Sequence, residues 1–219
     1  MKFAILGAGG LAREALAVAL AMIEAGHDLE PTGFIDVSEP VGTEIAGLPI
    51  LGDEAWFGTS AGRGVAAAPA IGSPRIRRRS VDAVRRFGGG FASLIHPTVS
   101  IGPRVRVGTG CLMLPMSSLT VDIEIHDFVS INPGCTLGHD SIVGAFSNLS
   151  PGTRVSGHVR IGEGVDIGAG AVVLPGLSIG NGSVLGAGAV AVRDIGPAVT
   201  MAGVPARLLY RNTSLWEES

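Results

Sequence analysis

A histidine and an aspartate stand side by side at positions 139 and 140, inside the otherwise small and apolar stretch SINPGCTLGHDSIVGAFS. Histidine is the natural general base near neutral pH, and a neighbouring carboxylate can orient the ring and raise its basicity. His139 and Asp140 are therefore the candidate catalytic pair, and the plain alternative is a surface turn. His96 and His126 read as turn residues of that kind.

A second candidate lies at the amino end. Gly7-Ala8-Gly9-Gly10-Leu11-Ala12 fits a GxGxx(G/A) phosphate loop between a strand and a helix. Asp36 ends the next strand, where an acid can bond a ribose hydroxyl. These features suit NAD, but about 90 residues leave no room for a second mononucleotide half. A single nucleotide, such as that of a nucleotide-sugar, fits better, and a tight turn without a ligand is the other reading. Arg75, Arg77, Arg78, Arg79, Arg85 and Arg86 form a cluster read as a solvated helix face, from which one or two could meet a diphosphate. The histidine intervals 126 to 139 to 158 do not match the pattern of zinc-dependent β-helical carbonic anhydrases, so no metal is expected. Cys111 and Cys135 occupy equivalent repeat positions and read as buried and reduced, which suits a cytoplasmic protein.

The elements that must position these groups have two rhythms. Residues 1–90 read as a βαβ unit: a strand in KFAILGAGG, an amphipathic helix in LAREALAVALAMIEAG ending at Gly26, a strand in TGFIDV and a third in GVAAAPAIG. Ser73-Pro74 then caps and starts a helix over RIRRRSVDAVRRF. The first helix carries Arg13, Glu14 and Glu24, which excludes a membrane span. A net charge of −3 gives no basic field for nucleic acid.

From Leu94 the chain divides into seventeen hexads without an insertion, and the second position is aliphatic in every one, from Ile95 to Ala191. The 34 glycines suit the repeated turns. A period of six predicts short extended segments with one inward side chain per hexad. Three hexads close a triangular coil of 18 residues, and coils stack about 4.8 Å apart. Counting by 18 puts Asp122 below Asp140 and His158 above it. Gly157 lies above His139, where it is expected to leave space for a ligand. The fold class expected is thus a Rossmann-like α/β domain over 1–90 followed by an all-β parallel β-helix over 91–219.

The motifs GAGGLARE, GFIDV, PAIGSPRIR, SLIHPTVSIG, INPGCTLGHD and AGVPARLL together resemble the NeuD/PglD-like sugar acyltransferases, over nearly the full chain. The resemblance implies a left-handed β-helix and a nucleotide-sugar domain ahead of it. It also implies acetyl-CoA as acyl donor, transfer to a nucleotide-linked amino sugar, and a homotrimer with active sites between subunits. It implies His139 and Asp140 as the catalytic pair and Asn132 as a sugar contact. Gly9, Gly10, Asp36 and Gly72 become nucleotide-sugar positions. Asn148, Gly157, Ala169 and Ala187 fall on the acetyl-CoA groove, with Arg207 near the cofactor's phosphates. Two departures from the family pattern are Leu11-Ala12 in the glycine loop, and Asn148 where histidine is common. O-acetylation of a sialic acid, and a non-catalytic assembly role, are the competing expectations.

Overall fold

The computed structural model describes residues 1–212. The first unit contains β1 (Lys2–Leu6), α1 (Gly10–Glu24), β2 (Glu30–Ile35), β3 (Glu44–Ile45), β4 (Leu48–Gly52), a 3-10 turn over Glu54–Gly58, β5 (Ala66–Pro69), α2 (Pro74–Arg86) and β6 (Gly90–Phe91). These strands form one sheet in the order β3-β4-β2-β1-β5-β6, parallel except for the β3–β4 hairpin. The βαβ expectation holds, while the hairpin and the 3-10 turn went unread. Each is too short to carry a period of its own. The Ser73 side chain accepts from the Ile76 N–H, and Pro74 opens α2, as expected of a cap and first turn.

Seventeen two-residue strands follow at six-residue intervals, β7 (Leu94–Ile95) to β23 (Val190–Ala191). They pair in parallel with a shift of 18 residues per coil, for example Leu112 with Leu94 and Ser130 with Leu112. The result is a triangular prism with faces of eight, six and five strands. The eight-stranded face is closed by β24 (Val199–Ala202), which pairs antiparallel with β25 (Arg207–Arg211).

The aliphatic column points inward from Met113 to Ala191, but no further coil lies beneath the lowest one, where α1 reaches Ile95 through Met22 and Ile101 is left 43% exposed. The expectation of one inward side chain per hexad needs correction. The residue before each strand also faces in, giving a second buried column that includes Cys111, Ser117, Ile123, Cys135, Ser141 and Ser147. This column mixes aliphatic residues such as Ile123 with serines. Their hydroxyls bond backbone carbonyls, such as Ser117 to Asn132 and Ser147 to Gly162, so their burial leaves no unmet polar group. The two free cysteines belong to this column, and burial pushes the Cys111 thiol up to about 11.

The two units share one apolar core. Leu16, Ala19 and Met22 of α1 pack between the sheet residues Phe3, Ile5 and Phe34 and the β-helix residues Leu94, Leu112 and Leu114. Arg77 overturns its sequence reading as a solvated or diphosphate-binding residue. It is 1% exposed. Its Nε donates to the Phe128 carbonyl at 2.9 Å, and Nη2 to those of Phe146 and Ser147 at 2.6 and 3.0 Å. Nη1 donates to the Ile71 carbonyl at 2.5 Å. The guanidinium thus joins the loop before α2 to two successive turns of the β-helix.

Candidate active site

His139 and Asp140 occupy the turn between β14 (Thr136–Leu137) and β15 (Ile142–Val143), on the edge where the six- and five-stranded faces meet. The His139 Nδ1 lies 2.7 Å from Asp140 Oδ2, and both side chains are about half exposed (54% and 46%). Asp140 adopts a left-handed φ of 58°, as do Arg104, Asp122 and His158 in the same column. Below, Arg104 grips Asp122 through Nε and Nη2 at 2.5 and 2.7 Å, and this pairing lowers the Asp122 pKa. Asp122 is thereby committed to arginine, and Asp140 is the carboxylate facing the imidazoles. A second histidine, given no role from sequence, stands beside the pair. His158 Nε2 lies 3.7 Å from Asp140 Oδ2, and its ring meets that of His139 edge-on at 5.0 Å between centroids.

The space expected above His139 is not open. A Cβ built on Gly157 would fall 2.7 Å from His139 Nε2, so the imidazole itself lies across the glycine. Glycine is required there to seat the ring, and the base nitrogen rests beside the Gly157 backbone. Gly157→Ala is expected to push the ring off Asp140 and lower turnover about tenfold or more, with the melting temperature little changed. Steady-state kinetics beside a thermal melt checks this; unchanged turnover would show that the ring position is unimportant.

In the first unit, Gly9 and Gly10 are exposed at the start of α1, with open space where a Cβ would project. Asp36 does more than face a ribose. Its Oδ2 accepts from the Ala8 N–H at 2.8 Å and its Oδ1 from Ser38 at 2.7 Å, which clamps the glycine loop. Partial burial pushes its pKa up, but these hydrogen bonds outweigh it and hold the carboxyl below its ordinary value. Asp36 lines a pocket with Gly7, Ile71 and Ile76, and with two acids that sequence reading missed, Asp53 and Glu54. Gly72 is exposed beside it in sequence, immediately before the α2 cap.

The remaining candidates lie elsewhere. Asn132 and Asn148 are buried and bonded to one another, Asn132 Nδ2 to Asn148 Oδ1 at 3.2 Å, and Asn148 continues to Asp166 at 2.8 Å. Asn132, Ala169 and Ala187 follow strands of the eight-stranded face, and both alanines are exposed. Arg207 opens β25 and is exposed. A single chain therefore distributes the candidates over different edges of the prism. Arg77 fixes the first unit at the edge between the five- and eight-stranded faces, and His139 occupies the edge between the six- and five-stranded faces.

Comparison with known proteins accords with this architecture. Residues 2–84 match the PglD N-terminal domain family. The structure of PerB from Caulobacter crescentus, in complex with CoA and GDP-perosamine, superposes with a TM-score of 0.87 at 30% identity, covering 96% of this chain and 98% of PerB. The chain belongs to the NeuD/PglD-like sugar acyltransferases. Its β-helix is left-handed, as the family resemblance implied. Among other members, the acetyltransferase domain of PglB from Neisseria gonorrhoeae is 32% identical, covering 95% of this chain and 99% of that one, with a TM-score of 0.86. WeeI from Acinetobacter baumannii is 28% identical, covering 95% of this chain and 100% of its own, with a TM-score of 0.87. No curated protein matches the sequence significantly. No helix among the described residues of this acyltransferase is long and apolar enough to cross a membrane.

Proposed function

We propose that the chain is an acetyl-CoA-dependent N-acetyltransferase acting on the amino group of a nucleotide-linked amino sugar, with His139 as general base. The observation that carries this is the His139–Asp140 contact of 2.7 Å on the outside of the β-helix, in a chain matching over 96% of its length a protein held with CoA and GDP-perosamine. A carboxylate against Nδ1 makes that nitrogen the donor and leaves Nε2 as the acceptor. Nε2 takes a proton from the sugar amine as its nitrogen forms a bond to the thioester carbonyl carbon. The C–S bond then breaks, and the same proton returns to the departing CoA sulfur. The Gly157 N–H donates to no backbone or side-chain acceptor among the described residues, which suits it to a developing oxyanion. Both cysteines are buried in the core, which supports direct transfer over an acyl-cysteine route.

Residues 1–90, with Gly9, Gly10, Asp36 and Gly72, take the nucleotide. Residues 91–219 bind acetyl-CoA along Asn148, Gly157, Ala169, Ala187 and Arg207, and Asn132 meets the sugar; positions 213–219 lie outside the described residues. The distribution of these groups over separate edges supports a homotrimer, in which neighbouring prisms bring one chain's edge against another's. Two unpaired thiols suit the cytoplasm, and surface polysaccharide biosynthesis is the setting we assign.

The test is thiol release from acetyl-CoA with UDP-, dTDP- and GDP-linked 4-amino sugars, run beside sialic acids. Turnover with one amino sugar is the expected result and names the nucleotide. Release with sialic acids alone would replace this reading by O-acetylation. Silence throughout, without thermal stabilisation by CoA, would leave an assembly role.

A further inference from the structure

We propose that His139, Asp140 and His158 together form a binding site for a transition-metal dication of the zinc class, and that its occupation silences acyl transfer. The three side chains offer donor atoms that all lie within 4.8 Å of one another. Two imidazole nitrogens face one carboxylate oxygen, His139 Nδ1 at 2.7 Å and His158 Nε2 at 3.7 Å from Asp140 Oδ2. Zinc–nitrogen and zinc–oxygen bonds of about 2.0–2.2 Å in tetrahedral geometry place donors of a common ion roughly 3.4 Å apart, between those two distances. The side chains are 46–65% exposed, so they can close on an ion without moving the core, and a fourth position faces water. The turns beneath them are rigid: the His158 N–H donates to the His139 carbonyl at 2.8 Å, which locks the two coils in register.

Donor chemistry and local charge agree. Two imidazoles with one carboxylate suit zinc, cobalt, nickel or copper, and they disfavour magnesium and calcium, which take oxygen. In the coil below, Arg104 neutralises Asp122, which leaves the Asp140 charge beside the imidazoles. The site was invisible to zinc-motif reading because 139 and 158 are 19 residues apart, one coil of 18 plus one. Binding displaces the Nδ1 proton of His139 to solvent. It withdraws Asp140 from its orienting role and puts a dication on the ring that must accept the amine's proton at Nε2. The silencing half rests on the proposed role of His139 as base; the binding half does not.

Calorimetric titration of the metal-free full chain with Zn2+ tests the binding half. One site per chain is expected, weakened about tenfold or more in His158→Gly. Glycine suits the left-handed backbone at 158, so the variant should fold. Its metal-free turnover is expected to stay within a few fold of the parent. Acetylated product is then counted by chromatography with and without zinc, because zinc also binds the CoA thiol. Inhibition that falls away in His158→Gly supports the proposal. Equal zinc affinity in parent and variant, or no binding at all, overturns the site. Tight binding without inhibition overturns the silencing. A chain that binds zinc yet acetylates no sugar would instead count against the transferase reading.

Discussion

Turnover of His139→Ala is expected to fall about a hundredfold or more, the range over which positioned general bases contribute. The reason lies in the geometry of the turn. Nδ1 is held at 2.7 Å by Asp140, Gly157 leaves room for the ring, and the remaining nitrogen, beside the Gly157 backbone, keeps its lone pair for the amine. The side chain is more than half exposed, so its removal should change stability by no more than about 0.5 kcal/mol. The loss must therefore appear in the rate, with melting temperature and CoA binding near those of the parent. Asp140→Asn keeps the contact but weakens the orientation and basicity of the ring, and a smaller loss is expected. Steady-state rates for the pair separate the roles: near-parental turnover in His139→Ala would remove the base from the mechanism.

Arg77→Ala should produce the largest loss of stability. The guanidinium donates to the carbonyls of Ile71, Phe128, Phe146 and Ser147 from a position with 1% exposure, and the Ser147 carbonyl also accepts from the Ser130 N–H at 3.0 Å. A buried acceptor left unpaired costs about 1–3 kcal/mol, and several share this donor, so a net loss of about 4 kcal/mol is a fair expectation after some carbonyls find water. For a chain of 219 residues that corresponds to a fall of roughly 10 °C in melting temperature. Burial lowers the Arg77 pKa to about 10, so the charge persists at neutral pH. The desolvation this implies is one reason the net loss is well below the sum of the bonds. Arg77→Lys should recover little, because one ammonium cannot span both turns in the way the planar fork does. A thermal melt decides the matter; an Arg77→Ala protein melting within 2 °C of the parent, taken as roughly 1 kcal/mol at this size, would show that the carbonyls are satisfied without it.

What was legible in the sequence was whatever repeats or is local. The hexads specified strand, turn and inward column because each coil imposes the same geometry on residues 18 apart, and the Ser73-Pro74 start of α2 needs only neighbouring backbone. His139 and Asp140 were legible for the same reason: they interrupt a regular pattern within one turn. The tertiary structure alone decided the rest. Arg77 looks like its neighbours in an arginine-rich helix, and only partners 51 to 70 residues away distinguish it. His158 joins Asp140 across a coil, and Asp53 and Glu54 reach the Asp36 pocket through a 3-10 turn too short to announce itself. A side chain's direction and its distant contacts are properties of packing, which no local period encodes.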